Sequence, residues 1–128
     1  MKLILKGNPL STQSIYRYTC IGKFARFYMA KTGKKLKELY QTEIKNQYKG
    51  KILSGDCDME MTLFFKDKRR RDVDNYNKLV LDSLEGIVLE DDCQIQRLKI
   101  TKDYSAENPR IELEIKGSAK EGLKELKE

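Results

Sequence analysis

The chain contains no histidine, and it has only three cysteines among its 128 residues. The lack of histidine excludes Ser–His and Cys–His nucleophile systems and His-rich zinc sites, so any catalysis must use carboxylates, lysine, tyrosine or a bound metal. Cys20, Cys57 and Cys93 are odd in number and form no C-x-x-C pair. This pattern argues against a disulfide framework and against zinc, and predicts three small core or half-buried residues.

Long apolar segments are also missing. No apolar run has the length that a membrane crossing requires. The first ten residues, MKLILKGNPL, are too soon interrupted for a signal peptide. With the unpaired cysteines, these features lead us to expect a soluble cytoplasmic protein.

Charge is what the chain has in abundance. Charged residues make up 36% of the sequence and hydrophobic residues 39%, and 26 basic against 20 acidic residues give a net charge of +6. The excess of positive charge favours a polyanionic partner, most often nucleic acid. The length fits one domain with a modest core. We expect that domain to span residues 1–116, followed by a charged tail at 117–128.

The spacing of apolar residues predicts an α+β fold. Alternating apolar and polar residues predict strands at 2–6, 56–66, 94–104 and 110–116. Two helices are predicted at 32–48 and 75–85, ended by Gly50 and Gly86. The stripe of the first helix consists of Leu36, Tyr40, Ile44 and Tyr48, widened by Leu39. We therefore expect a mixed or antiparallel sheet packed with two main helices.

Residues 11–30 interleave aromatic and basic side chains around Gly22, which suggests a hairpin or an irregular arm. The basic residues include Arg17, Lys23 and Arg26. In a nucleic-acid surface such cations contact phosphates while the rings stack on bases. Strand alternation with a buried aromatic face would produce the same pattern, so both interpretations stay open.

The most informative segment is RRRDVDNYNK, at residues 69–78. Asp72 and Asp74 are two positions apart, so in an extended segment both carboxylates point to one side and can hold one divalent ion. Mg²⁺ needs only one or two protein carboxylates besides water and phosphate oxygens. The structural alternatives are a helix N-cap for Asp74 and an ion pair with a neighbouring arginine for Asp72.

A second acidic group, Glu90-Asp91-Asp92, follows the predicted second helix. An extended return after Gly86 would be long enough to bring Asp91 or Asp92 back beside the first two aspartates. Three carboxylates around one point repel one another and raise their own pKa values, a cost that a divalent cation would offset. Such a cluster is therefore a functional signal.

Lys78 lies one helical turn after Asp74 and one turn before Asp82. It fits an i, i+4 ion-pair ladder, and it also fits a cation placed on a reacting phosphate; both roles can hold together. A calcium-binding EF-hand loop starting at Asp72 is excluded, because its sixth and twelfth positions would be Asn77 and Ser83 instead of glycine and glutamate.

The chain resembles the RusA family of Holliday-junction resolvases in a composite motif over residues 69–95. The motif reads RRDVDNxxK at 70–78, LDxL at 81–84 and DDxQI at 91–95. The N-terminal P-x-S at 9–11 and Tyr16 are similar to the family's early loop. The stretch Thr12-Gln13-Ser14 departs from the family's pattern, in which this part of the loop bears an asparagine.

The resemblance implies a homodimeric, metal-dependent endonuclease that cuts four-way DNA junctions. Carried over by position, Asp72, Asp74 and Asp92 are its metal-binding catalytic carboxylates and Lys78 its catalytic lysine. Asp91, next to Asp92, is the other candidate for the third ligand. Mg²⁺ is the expected ion, with Mn²⁺ as a substitute.

Basic residues outside this acidic group are expected to hold the substrate. Arg69, Arg70 and Arg71, together with the basic N-terminal segment, would bind backbone phosphates without reading sequence. Two rival functions use the same residue types. One is a non-catalytic basic module for branched or single-stranded nucleic acid, and the other is a magnesium-dependent phosphohydrolase of a small substrate.

Overall fold

The computed structural model describes residues 1–11, 31–73 and 76–117, and the backbone of two strands at 16–21 and 24–29. The strands are β1 (Lys2–Lys6), β2 (Tyr16–Ile21), β3 (Phe24–Met29), β4 (Cys57–Phe65), β5 (Ile95–Tyr104) and β6 (Arg110–Gly117). The helices are α1 (Lys31–Gln47) and α2 (Asn77–Leu84), and a short 3₁₀ helix spans Asp92–Gln94. The predicted α+β class is therefore confirmed, with element ends within a few residues of those expected.

Four of the strands form one mixed sheet in the order β1–β6–β4–β5. β4 runs parallel to β5 and antiparallel to β6, while β1 runs antiparallel to β6. The parallel pair needs a long crossover, which the segment containing α2 supplies. The other two strands, β2 and β3, pair with each other as an antiparallel hairpin, as the sequence suggested.

One face of the sheet carries the core. In β4 the residues at odd positions are buried, among them Met59, Met61 and Leu63, as their alternation predicts. Tyr40 and Ile44 of α1 and the apolar side of α2 pack on the same cluster. Burial of the Tyr40 hydroxyl raises its pKa to about 12.

Two predictions about single residues are wrong. Leu39, expected to widen the apolar stripe of α1, has an exposed fraction of 61%. Cys93, expected in or near the core, is exposed, whereas Cys57 is buried as predicted, and both are free thiols. Leu39 directly precedes the buried Tyr40 in the helix, so the two side chains point to different sides and Leu39 lies off the buried stripe. The side chain of Cys20 lies outside the described residues.

The chain does not return from α2 in the extended form that the number of residues allowed. Gly86 adopts a positive φ of 82°, which glycine tolerates without steric cost, and starts a tight turn. Its N–H donates to the carbonyl of Leu89 at 2.7 Å. Leu89 forms bridges with Glu85 and with Leu53. The acidic residues that follow are thereby held beside the C-terminal half of α2.

Neither helix in the described part of the chain has the length and apolarity that a membrane crossing requires. The tail at 118–128 lies outside the described residues. The division into a domain and a tail, and the homodimer, stay predictions.

Candidate metal and DNA-binding site

The acidic loop after α2 is organised by one buried amide, that of Gln94. Its Oε1 accepts hydrogen bonds from the backbone N–H groups of Glu90 at 2.7 Å and Asp91 at 2.9 Å. Its Nε2 donates to the carbonyls of Leu53 at 2.8 Å and Gly55 at 2.9 Å. One side chain therefore fastens the acidic loop to the segment that precedes β4.

Asp91 begins the 3₁₀ helix as its N-cap. Its carboxylate accepts from the backbone N–H of Cys93 at 3.0 Å, and with Gln94 it forms a capping box. That backbone hydrogen bond is the main cause that lowers the pKa of Asp91, and a hydrogen bond with the carboxyl group of Asp92 adds to it. The Asp91 side chain thus has a structural task in the loop.

Asp92 faces the exposed side of α2. Oxygen atoms of Asp82, Glu85 and Asp92 lie within 4.8 Å of one another, a group that among the described residues could hold a metal ion. The backbone N–H of Asp92 also donates to Oε1 of Glu85 at 3.3 Å. Three carboxylate oxygens at such separations are a hard donor set, of the kind that Mg²⁺ and Mn²⁺ prefer.

The electrostatics of this group disfavour its full ionisation. The pKa of Asp92 is raised, first by its hydrogen bond with Asp91, then by partial burial and by the negative charges of Glu85, Asp91 and Asp82. The sequence predicted such repulsion with Asp72 and Asp74 beside Asp91 or Asp92, whereas the described residues show it between Asp92 and Glu85, Asp91 and Asp82. A divalent cation would remove that repulsion, so the donor set fits such an ion in charge as well as in chemistry.

The first pair of predicted ligands lies just before α2. Asp72 is exposed, and Asp74 lies outside the described residues. Both ion pairs of the neighbouring arginines go to Asp67, and no ion pair in the described part of the chain involves Asp72. The N-cap of α2 is Tyr76, whose side chain forms no capping hydrogen bond. The ion pair considered for Asp72 is therefore not found among the described residues, and the N-cap alternative for Asp74 lies outside them.

Lys78 lies on the side of α2 that carries Asp82. Its ammonium is 3.5 Å from Oδ2 of Asp82, and its side chain keeps an exposed fraction of 47%. The predicted i, i+4 ion pair is thus present. Asp82 also belongs to the carboxylate group around Asp92. Lys78 therefore contacts one member of that group directly.

The three arginines before Asp72 differ in their surroundings. Arg71 is 13% exposed, forms a 2.7 Å ion pair with Asp67 and lies over the Phe65 ring at 4.3 Å. Arg69 is 81% exposed and approaches the same carboxylate only at 3.7 Å. Arg70 is exposed. Arg69 and Arg70 are thus presented to solvent, whereas Arg71 organises the loop.

The remaining predicted DNA contacts are Arg17, Lys23 and Arg26. Their side chains lie outside the described residues, so their role stays a prediction. The β2–β3 hairpin that carries Arg17 and Arg26 is present in the backbone, with Arg26 paired to Thr19.

Three residues of the site were not identified in these roles from the sequence. Asp82 was predicted only to form an ion pair with Lys78, and Glu85 was given no role. Gln94 was noted only as part of the DDxQI motif at 91–95. The i, i+3 spacing of Asp82 and Glu85 places both on one helix face, which is a detectable signal. The role of Gln94 in fastening the acidic loop cannot be detected in this way, because the residues that accept its hydrogen bonds, Leu53 and Gly55, are distant in sequence.

Comparison with known proteins gives a match to a family model and a match to one relative. A family model described as "Endodeoxyribonuclease RusA" matches residues 7–116, which is most of the sequence. The chain is also 49% identical over 45 residues to the uncharacterized protein YqaN of Bacillus subtilis (strain 168). That alignment covers 35% of this chain and 31% of YqaN, so it spans about a third of the relative's length.

Proposed function

The chain belongs to the RusA family of endodeoxyribonucleases, and we propose that it is a metal-dependent nuclease that resolves four-way DNA junctions by paired phosphodiester hydrolysis. The observation that carries the proposal is the family match over residues 7–116, which includes every residue of the candidate site. The net charge of +6 is consistent with a DNA substrate. Recombination and repair are the processes in which such junctions arise.

The ion is proposed to be Mg²⁺, with Mn²⁺ as a substitute. Asp92 would hold it together with Asp72 and Asp74, and Asp82 and Glu85 are close enough to Asp92 to contribute. When bound, a divalent ion supplies an activated water and stabilises charge on the leaving oxygen. The raised pKa of Asp92 supports this assignment, since it reports unbalanced negative charge around that carboxyl group.

Lys78 is proposed to neutralise negative charge that develops on the phosphate. In the structure its ammonium rests on Asp82 at 3.5 Å. A phosphate is a stronger partner than one half-buried carboxylate, so substrate would draw Lys78 away from Asp82. Arg69 and Arg70, both exposed, would bind backbone phosphates on the same side of the Asp72 loop. A homodimer would supply two equivalent sites for the paired cuts.

The decisive experiment measures cutting and binding of a synthetic four-way junction. Asp72→Asn, Asp74→Asn and Asp92→Asn should each abolish cutting in Mg²⁺. Junction binding in EDTA should persist or improve, because each change removes a negative charge facing DNA. Glu107→Gln, an equivalent change on an exposed turn distant in sequence from the site, is the matched control and should cut like wild type.

The same assay ranks the members of the carboxylate group. If Asp82 and Glu85 contribute to the ion, Asp82→Asn and Glu85→Gln should raise the Mg²⁺ concentration needed for half-maximal cutting without abolishing it. A wild-type protein that cuts no junction in either metal at any salt concentration would overturn the assignment. Hydrolysis of a nucleotide by a protein that ignores junctions would favour the small-substrate rival instead.

A further inference from the structure

A second concave surface lies at the carboxyl ends of the parallel strands β4 and β5. It is a pocket of about 210 Å³ between those strand ends and the Asp67–Arg71 loop. Tyr104 and Lys102 of β5 pair with Phe65 and Leu63 of β4 and therefore share the core-facing side of the sheet. No element in the described part of the chain buries this end of β5, and Tyr104 has an exposed fraction of 44%.

The pocket combines one exposed aromatic ring with several cations. The Lys68 ammonium lies 5.3 Å from the centre of the Tyr104 ring. Lys102 and Arg69 complete the lining on either side. All three of these cations are exposed.

The negative charges near the pocket are already engaged. The Asp67 carboxylate forms its 2.7 Å ion pair with Arg71, and its pKa is lowered by the backbone N–H of Arg69 and by the Arg71 side chain. The Asp103 carboxylate accepts the backbone N–H of Tyr104 at 2.8 Å. The pocket is therefore a net positive surface beside an accessible ring, the combination that binds unpaired nucleotides by stacking and phosphate contact.

The pocket is also connected to the candidate catalytic loop. The Lys102 ammonium donates to the carbonyl of Arg71 at 2.6 Å, and Arg71 immediately precedes Asp72. A phosphate held by Lys102 would thus lie next to the backbone that carries the first predicted metal ligand. The volume of the pocket, about 210 Å³, is below the range of about 300–1,000 Å³ typical of sites that enclose a whole small molecule, so the pocket would hold part of a longer strand, such as one base, and not a free ligand.

We propose that this pocket binds one DNA nucleotide that has left the base stack at the branch point. The base stacks on Tyr104, and its flanking phosphates contact Lys68 and Lys102. This inference rests on the proposed junction-resolving function, and it assigns to that function a binding subsite at the end of β5. The subsite would also give a protein that binds phosphates without reading sequence a preference for branched DNA over a regular duplex. Bases leave the stack at lower cost at a branch than within a paired duplex.

The test is junction binding by the full-length protein in EDTA, where no cutting occurs. Tyr104→Leu should weaken binding at least fivefold, since stacking of one base is worth about 1–3 kcal/mol, whereas Tyr104→Phe, which keeps the ring, should stay within about twofold of wild type. Lys68→Gln should weaken binding and lower the salt dependence by about one phosphate contact. Lys99→Gln is the matched control, because Lys99 pairs with Glu60 on the opposite face of the same strand.

Equal junction affinities of the Leu and Phe variants, measured with proteins of unchanged circular dichroism, would overturn the pocket proposal while leaving the nuclease assignment intact. Irradiation of an iodouracil-labelled junction gives an independent readout, in which a crosslink mapped to Tyr104 supports the proposal. A wild-type protein that binds no DNA would overturn both. If wild type cuts nothing but Tyr104→Leu still weakens binding relative to Tyr104→Phe, the subsite stands and the nuclease assignment fails.

Discussion

The carboxyl groups of Asp91 and Asp92 are adjacent in the chain and hydrogen-bonded to each other, yet their pKa values move in opposite directions. That of Asp91 is lowered, mainly by the backbone N–H of Cys93. That of Asp92 is raised, mainly by the hydrogen bond with Asp91 and then by burial and by Glu85 and Asp82. The two residues that a motif alone cannot tell apart therefore have different surroundings. Asp91 stabilises the loop, and Asp92 meets the other candidate ligands.

The raised pKa of Asp92 predicts how the metal-free protein responds to pH. Native Asp92 holds its proton more tightly than in the unfolded chain, so its stabilising contribution is complete below pH 3.8 and is lost as pH rises through the native pKa. Asp92→Asn removes this loss. In EDTA at pH 7 we expect the variant to melt roughly 1–3 °C above wild type, an effect of surface-charge size.

With added Mg²⁺, wild type should instead melt at a higher temperature than Asp92→Asn. The ion stabilises the native state of wild type by mass action, and it should raise the melting temperature of Asp92→Asn much less. Thermal melting with and without Mg²⁺ measures both effects, independently of any cutting assay. Equal Mg²⁺ responses of the two proteins would contradict a role for Asp92 as ligand.

Asp91 should respond to substitution as an N-cap. Asparagine caps helices about as well as aspartate, so Asp91→Asn should leave stability nearly unchanged, whereas Asp91→Ala should lower the free energy of unfolding measurably. Urea unfolding gives both values. The two variants also separate structure from chemistry. If Asp91 is instead the third metal ligand, Asp91→Asn should abolish junction cutting despite its normal stability.

Much of this fold could be predicted from local patterns, because strand alternation and helical stripes are properties of neighbouring residues. Met59, Met61 and Leu63 of β4 are buried, while the residues between them are not, as their alternation implies. The shape of the return after α2 could not be predicted, because it depends on distant contacts. Val88 accepts the N–H of Leu53, and Gln94 reaches Leu53 and Gly55, about 40 residues earlier in the chain. No period in the sequence encodes such contacts.

Local sequence patterns likewise predict one part of the candidate site and not the other. Residue type and spacing predicted Lys78 and one of Asp91 and Asp92, and the choice of Asp92 came from the family resemblance. The approach of Asp82 and Glu85 to Asp92 follows from the tight turn at Gly86, which a count of residues along an extended chain cannot reproduce.

Gln94 should therefore be essential to the site without touching substrate. Gln94→Leu keeps the volume but leaves the N–H groups of Glu90 and Asp91 and two carbonyls without their partner, at a cost of about 2–3 kcal/mol. The variant should unfold at lower urea concentration and need more Mg²⁺ for cutting. Gln96→Leu is the control, because it removes an exposed amide that makes only longer hydrogen bonds, to the Cys93 carbonyl at 3.3 Å and to Asp56 at 3.4 Å. Wild-type stability in Gln94→Leu would show that the loop does not depend on this amide.

The last prediction concerns the opposite end of the sheet, where Gln47 of α1 closes the free edge of β1. Its Oε1 accepts the N–H of Ile4 and its Nε2 donates to the Ile4 carbonyl, both at 2.7 Å, as a neighbouring strand would. Glu43 accepts the N–H of Lys6 at 2.9 Å. Gln47→Ala should cost about 1–2 kcal/mol and leave an unpaired edge, which favours association between chains.

Urea unfolding and light scattering at rising protein concentration measure the two consequences of Gln47→Ala. Asn46→Ala, at the preceding exposed helix position, controls for helix propensity: alanine there should raise stability slightly and leave association unchanged. Because β1 is closed in this way, the proposed homodimer should not use its edge. If Gln47→Ala instead leaves aggregation unchanged but abolishes dimer formation, this edge belongs to the dimer contact and its closure by Gln47 has a different purpose.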